Sequence, residues 1–301
     1  MISLSFEDFV PVTLNDRAFF ADHYRKYPQV HSDNTFTNMV CWNHFANYRY
    51  AFVEGSLILS STIEGRTHFR PPVGLRDPDL MKALINLAFD VGDDQPLVLI
   101  DPDTEVWLQS LCPDLVITLD RDHCEYVYRT SDLADLPGRQ YLSVRRQLNR
   151  FKKNCAYSVE PITTSNQVEV KEFLIKWCEW KGCEEGDPVL AHEKEAVFFA
   201  VDNYGALGLS GLAIRVNRNI GAISLFEPLN ADTALVHFEK GLPDCEGIYK
   251  AINAETAAVL LKKDFTFINR ESDLGVAGLR EAKLRYHPHH MVNVYSVLRQ
   301  D

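Results

Sequence analysis

Residues 265–275 read Phe265-Thr266-Phe267-Ile268-Asn269-Arg270-Glu271-Ser272-Asp273-Leu274-Gly275. An apolar strand runs to Ile268 and stops where five polar side chains begin. A helix follows from about residue 276. Strand ends and helix starts in an open α/β layer face one cleft. Free backbone N–H groups at such a place favour an anion or a developing oxyanion. Upstream, a long helix covers 245–262. Before it come three strands, 209–216, 220–226 and 233–238, the first two joined by the tight turn Asn217-Arg218-Asn219. A strand at 158–163 and helices at 167–180 (with Ser165 as its cap) and 193–204 precede these. Downstream, a helix at 276–286 leads to a final strand at 291–298.

The first half shows the same order. A strand at 9–13 is followed by helices at 15–27 and 35–48, then strands at 48–53, 56–62 and 66–70. Glu54-Gly55 is a hairpin signal between the first two of these strands, and Pro71-Pro72 ends the third. A helix at 78–91, a strand at 96–100, a helix at 104–111 and a strand at 115–119 complete it, with 124–128 as one more extended run. No residue-level repeat accompanies the repeated order. There is no Gly-rich phosphate fingerprint and no strict strand–helix alternation, which argues against a doubly wound nucleotide fold. The order resembles two tandem GCN5-related N-acetyltransferase-like domains of α/β (α+β layer) class. Each would be a mixed, mostly antiparallel sheet flanked by helices. The expected boundaries are 1–137 and 157–301, with a basic linker helix over 138–156. A single large α/β domain is the alternative.

At 301 residues, 46% hydrophobic and 24% charged, the chain can bury a core. Its 42 acidic residues against 31 basic ones give a net charge of −11. Nucleic acid or anionic membrane would therefore have to be met by a local basic patch. No apolar run reaches the roughly 20 residues needed to span a bilayer, and the acidic start is unlike a secretory signal. The seven cysteines are odd in number and scattered, without a C-x-x-C pair. That argues against a disulfide framework and a zinc site, so no metal and a reducing, cytoplasmic setting are expected.

Three stretches carry a resemblance. They are Tyr141-Leu142-Ser143-Val144-Arg145-Arg146-Gln147-Leu148-Asn149-Arg150-Phe151; His237-Phe238-Glu239-Lys240 with Gly247-Ile248-Tyr249-Lys250-Ala251-Ile252-Asn253; and Ile268 through Lys283 with Tyr286-His287-Pro288. Together they resemble the C-terminal domain of phosphatidylglycerol lysyltransferases and its uncharacterised soluble relatives. The resemblance implies a tandem acyltransferase fold, an aminoacyl-tRNA donor and a hydroxyl or amine acceptor. That acceptor could be a small molecule, a lipid head group or a peptide. The membrane-spanning flippase of the best-understood members has no counterpart in this chain.

Acyl transfer needs a base, an oxyanion site and an anchor for the donor amino group. Glu239, Glu271 and Asp273 are the candidate carboxylates, with Arg270 beside them. Asn269, Gly275, Arg280, Lys283, Tyr249, Asn253 and His237 are candidates for binding substrate. Gly275 would place the oxyanion, and Arg280 and Lys283, three apart on one helix face, would hold phosphates. His237 also reads, and more readily, as a strand histidine with its hydrogen bonds met. The loop Glu239-Lys240-Gly241-Leu242-Pro243-Asp244-Cys245-Glu246-Gly247 is unsuited to a coenzyme A pyrophosphate. Pro243 lacks an amide donor, and Asp244 and Glu246 repel phosphate. No cofactor is expected to be required, with acetyl-CoA disfavoured.

Six Lys or Arg and no acid lie between residues 139 and 153. As a helix, this segment sets Arg146, Arg150 and Lys153 on one face. With Arg145 they are candidates for tRNA phosphates, or a solvated linker face. An acyl-CoA N-acyltransferase and a non-catalytic binding module remain the rival readings.

Overall fold

The computed structural model describes residues 2–183 and 188–299. In chain order, the elements begin with β1 (Val10–Pro11), α1 (Arg17–Lys26), α2 (Phe36–Cys41), α3 (Asn43–Ala46), β2 (Arg49–Val53), β3 (Ser56–Ile63) and β4 (Arg66–Phe69). Next come α4 (Pro78–Val91), β5 (Leu97–Ile100), α5 (Pro102–Leu111), β6 (Val116–Leu119), β7 (Glu125–Arg129), α6 (Thr130–Asp135) and α7 (Leu142–Asn154). Then follow β8 (Tyr157–Pro161), α8 (Gln167–Lys181), α9 (Pro188–Asp202), α10 (Tyr204–Leu207), β9 (Ser210–Val216), β10 (Asn219–Pro228) and β11 (Thr233–Gly241). The chain ends with α11 (Ile248–Lys262), β12 (Phe267–Ser272), α12 (Ala277–Leu284), β13 (His290–Val292) and β14 (Tyr295–Leu298).

Local chemistry explains many of these boundaries. Glu54-Gly55, Glu64-Gly65 and Asn217-Arg218 all take positive φ, as two-residue turns between twisted antiparallel strands require. Asp77 and Asp101 each accept two backbone N–H bonds at a helix start, with Pro78 and Pro102 at the first helical position. Ser165 does not cap α8. The residue before the helix is Asn166, and Ser165 bonds the Thr163 hydroxyl instead. The helix expected over 35–48 is broken at Trp42 into α2 and α3.

Two seven-stranded mixed sheets form, in the orders β1-β2-β3-β4-β5-β14-β6 and β13-β7-β12-β11-β10-β9-β8. Most pairings are antiparallel; β4–β5 and β11–β12 are parallel. Both sheets carry helices, as the sequence order leads one to expect.

The compact units are interleaved in sequence and depart from the expected boundaries. One comprises Met1–Pro28, Trp42–Cys124 and Val292–Asp301; the other comprises Gln29–Cys41 and Glu125–Met291. The cause is strand exchange. β7, from the end of the first half, pairs with β12, while β14, the last strand, lies between β5 and β6. The single strand expected over 291–298 is therefore two, one in each sheet.

The core of the second unit gathers Tyr126, Tyr128, Tyr141, Phe151, Ile214, Phe226, Ile252 and Ile268 between its sheet, α7 and α11. Gly247 precedes α11 at φ +90°, and a Cβ there would stand 2.4 Å from the Gln147 carbonyl oxygen. Only glycine lets the two helices approach so closely. Cys155 and Cys245 form a disulfide there, their Cα atoms 6.4 Å apart across 90 residues of sequence. The scattered cysteine spacing gave no sign of it, because the packing of α7 on α11 brings the pair together.

Candidate functional site

The site lies in the second unit, where β11 and β12 part. They pair in parallel at Thr233–Phe267, Ala234–Ile268 and Leu235–Asn269 only. Beyond that point β11 runs on to Gly241 and β12 to Ser272. β12 is also irregular against β7 between Asn269 and Ser272, where Glu271 takes φ +59°. With no backbone ladder across the gap, two side-chain bridges cross it. Arg270 donates to Glu239 Oε1 at 2.8 Å, and His237 Nδ1 stands 3.4 Å from Glu271 Oε1.

His237 is buried and fully engaged. Nε2 donates to Glu227 Oε1 at 2.8 Å, and Nδ1 donates to Asn38 Oδ1 at 3.0 Å. Burial pulls its pKa down, but the bonds to Glu227 and Glu271 override this and raise it to about 9. The ring is thus an imidazolium at neutral pH. Asn38 also donates to Glu271 Oε1 at 3.2 Å, and Thr37 donates to Glu227 Oε2 at 3.0 Å. Burial, then Glu227 and Glu271, push the nearby Cys41 thiol far up, so it stays protonated.

The Glu239–Arg270 bridge is less saturated. Among the described residues, Glu239 Oε2 has only Asn253 Nδ2 at 3.5 Å, and Asn253 Oδ1 is buried without a hydrogen-bond partner. Arg270 lies over the Tyr286 ring, 5.6 Å from its centroid. Burial works against the guanidinium charge, but Glu239 outweighs it and raises the pKa. Tyr249 accepts a bond from Trp177 Nε1 at 3.2 Å, which fixes the first turn of α11 against α8. Of the residues expected from sequence, the gap thus joins Glu239, Arg270, Glu271, His237 and Asn253.

Other expected residues have structural duties. Asp273 has no exposed surface and accepts from Arg280 at 2.8 and 2.9 Å, from Gly275 N at 3.0 Å and from the Tyr126 hydroxyl. Burial raises its pKa, but these donors, Arg280 first, hold it far below the usual carboxylate range. A carboxylate so saturated is a poor base, and the Gly275 amide it occupies is closed to an oxyanion. Lys283 Nζ donates to the Ser272 carbonyl at 2.7 Å, the Glu271 carbonyl at 3.0 Å and the Arg270 carbonyl. It closes the irregular end of β12. Burial, partly opposed by Glu271, brings its pKa down to about 8. Arg280 and Lys283 are therefore turned inward and do not form the expected phosphate clamp. Asn269 is fully buried and donates to Glu125 Oε2 at 2.6 Å.

Glu125 escaped the sequence reading. Buried in β7, it accepts from Ser32 N at 3.0 and 3.1 Å and from the Ser32 hydroxyl. Burial, partly opposed by His31, raises its pKa. Its one signal was a charge flanked by Cys124 and Tyr126 in an apolar strand. Asn38, Thr37 and Glu227 left no comparable trace.

On α7 the basic residues divide. Arg145 binds the carbonyls of Leu136 and Gly138, the latter at 2.6 Å, and Arg150 pairs with Glu246. Arg146 and Lys153 are exposed. Cys245 is no nucleophile, being in the disulfide.

Parted strands on a mixed sheet, with titratable groups at the parting, mark an acyltransferase-type domain of the GCN5-related kind. More narrowly, residues 24–298 match the family described as phosphatidylglycerol lysyltransferase, C-terminal, and the chain belongs to that family. A conserved protein of unknown function from Bacteroides thetaiotaomicron VPI-5482 is 29% identical, with a TM-score of 0.88 over 97% of this chain and 99% of that one. L-PGS from Bacillus licheniformis shares the fold at 12% identity, with a TM-score of 0.65 over 95% and 92% of the two chains. FemX does so at 9% identity, with a TM-score of 0.57 over 97% of each. No curated protein matches the chain. No helix among the described residues is long and apolar enough to cross a membrane.

Proposed function

We propose that the second unit transfers an aminoacyl group from an aminoacyl-tRNA to a hydroxyl or amine acceptor. The observation that carries this reading is the gap between β11 and β12, bridged by Glu239–Arg270, beside a helix start packed closely on α7. The start of α11 is where a CoA pyrophosphate would need free amides. Gln147 presses on Gly247 there, Cys245 is tied to Cys155, and Glu246 is paired with Arg150. These features favour a donor other than a CoA thioester, and no cofactor is invoked.

In the reaction, the acceptor O–H or N–H loses its proton to a carboxylate and attacks the ester carbonyl. The bond from that carbonyl to the terminal ribose oxygen breaks, and the ribose hydroxyl leaves with a proton. Glu239 is the carboxylate assigned here, as base or as anchor of the donor ammonium, because one of its oxygens is nearly free. Arg270 stands ready to offset negative charge developing on the carbonyl oxygen. Glu271 and His237 hold the far side of the gap and act as positioning residues.

The test is consumption of radiolabelled aminoacyl-tRNA, with transfer scored on small-molecule, lipid and peptide acceptors. Transfer by the wild-type protein and its loss in Glu239→Gln is the expected result. Tight calorimetric binding of acetyl-CoA, with aminoacyl-tRNA left intact, would overturn the reading and favour an acyl-CoA N-acyltransferase.

A further inference from the structure

Among the described residues, one half-buried cation near the gap makes no ion pair. Lys250 lies in the first turn of α11, and its Nζ stands 5.0 Å from the centroid of the Tyr286 ring. Among the described residues it makes no hydrogen bond or ion pair. Other cations of this unit differ: Lys240 has Glu193, Arg280 has Asp273, and Lys283 has three carbonyls. Arg270 shares the Tyr286 ring with Lys250 and, among the described residues, is the sole ion-pair partner of Glu239. Arg285, one residue before Tyr286, spends its charge only on the solvent-exposed Glu281.

Two cations over one aromatic ring, a third electrostatically coupled to Lys250, and one committed carboxylate leave an excess of positive charge here. Burial, and then the Arg270 charge, lower the Lys250 pKa, and Glu239 opposes them only in part. Keeping an ammonium there is unfavourable unless an anion joins it. The surroundings say which kind. α7 runs alongside: the Tyr141 hydroxyl donates to the Tyr286 carbonyl at 2.9 Å, and Gln147 packs on Gly247. Its exposed Arg146, Lys152 and Lys153 extend the positive surface away from Lys250. Exposed basic side chains on a neighbouring helix, in a chain of net charge −11, suit an extended polyanion better than a lone phosphate.

We infer that Lys250, with Arg285, binds a backbone phosphate of the donor RNA at the edge of the gap between β11 and β12, the charge of Arg270 adding to the field there. The choice of RNA rests on the proposed donor; the phosphate chemistry does not. This subsite takes the duty that the sequence assigned to Arg280 and Lys283.

The full chain is titrated into fluorescent bulk tRNA at several salt concentrations, and Lys250 is separately probed by amine labelling with and without inorganic pyrophosphate. Lys250→Met should weaken tRNA binding about tenfold and make the slope of log K against log salt shallower by about 0.7 to 0.9, one phosphate's worth. Lys262→Met, at the far end of α11, should leave both unchanged. Pyrophosphate should protect Lys250 from labelling. A thermal melt checks that Lys250→Met is folded. Wild-type affinity and slope in a folded Lys250→Met protein would overturn the subsite while leaving the tRNA donor standing. A wild-type protein that binds no tRNA, yet whose Lys250 is protected by pyrophosphate, would keep the phosphate subsite and remove RNA as its source. Absence of both would overturn the whole inference.

Discussion

The turn from β12 into α12 and the gap between β11 and β12 carry the same kinds of side chain and do opposite things. In the turn, Asp273, Arg280, Gly275 and Lys283 satisfy one another and the backbone completely. In the gap, Glu239 keeps one oxygen nearly free, and Asn253 Oδ1 has no hydrogen-bond partner among the described residues. A saturated group is a poor base or ligand, because each new contact must break an existing one. The difference teaches that polar density locates a site only roughly. Unspent hydrogen-bonding capacity locates it better.

The sharpest break in that comparison is Asp273→Ala. It removes the buried carboxylate that accepts from Arg280, Tyr126 and Gly275, so a loss of about 3–5 kcal/mol is expected by denaturant unfolding. A variant of unchanged stability that had lost transfer would move chemistry back to the turn. Next comes Gly247→Ala. At φ +90° and with a 2.4 Å clash against backbone, it should cost about 2 kcal/mol or more, seen as a lower urea midpoint. Glu239→Gln keeps the shape of the gap. Its expected cost is below about 2 kcal/mol, whereas the transfer rate should fall at least about 100-fold.

The buried side of the gap gives a pH signature. The folded-state pKa of His237 is raised from 6.5 to about 9. Its protonated form therefore stabilises the fold fully below pH 6.5, and that contribution is lost as pH rises through 9. Urea midpoints of the wild type should fall between pH 7 and pH 10, and His237→Gln should flatten the decline. Equal slopes in the two proteins would show that the imidazolium is not held by Glu227 and Glu271.

Much of the fold was legible because local chemistry dictates it. Glu54-Gly55 and Asn217-Arg218 announce hairpins, and the strand–helix order is repeated. Which sheet a strand joins was not legible. β7 and β14 carry ordinary strand patterns, and their exchange follows from pairing partners more than a hundred residues away. At the site, Glu239, Arg270, Glu271 and His237 could be picked out as polar residues where strands end. Asn38 and Thr37 could not, because the 29–41 segment reaches this unit from a distant part of the chain. Arg280 and Lys283 misled for a physical reason: three-residue spacing puts two cations on one face but does not say whether that face meets solvent or backbone carbonyls.

The smallest expected effects lie on α7, where the same contrast recurs within one helix. Arg145 is spent on the carbonyls of Leu136 and Gly138, while Arg146 and Lys153 point to solvent. Arg145→Ala should therefore cost about 1–2 kcal/mol of stability, because it strips donors from partly buried carbonyls. Arg146→Ala and Lys153→Ala should each stay within about 0.5 kcal/mol of wild type. If the helix faces RNA, the outer pair should instead lower tRNA affinity a few-fold each, an effect fading at high salt as exposed charges are screened. A helix whose outer arginine and lysine change neither quantity is a linker face and nothing more, and the basic surface would then end at Lys250.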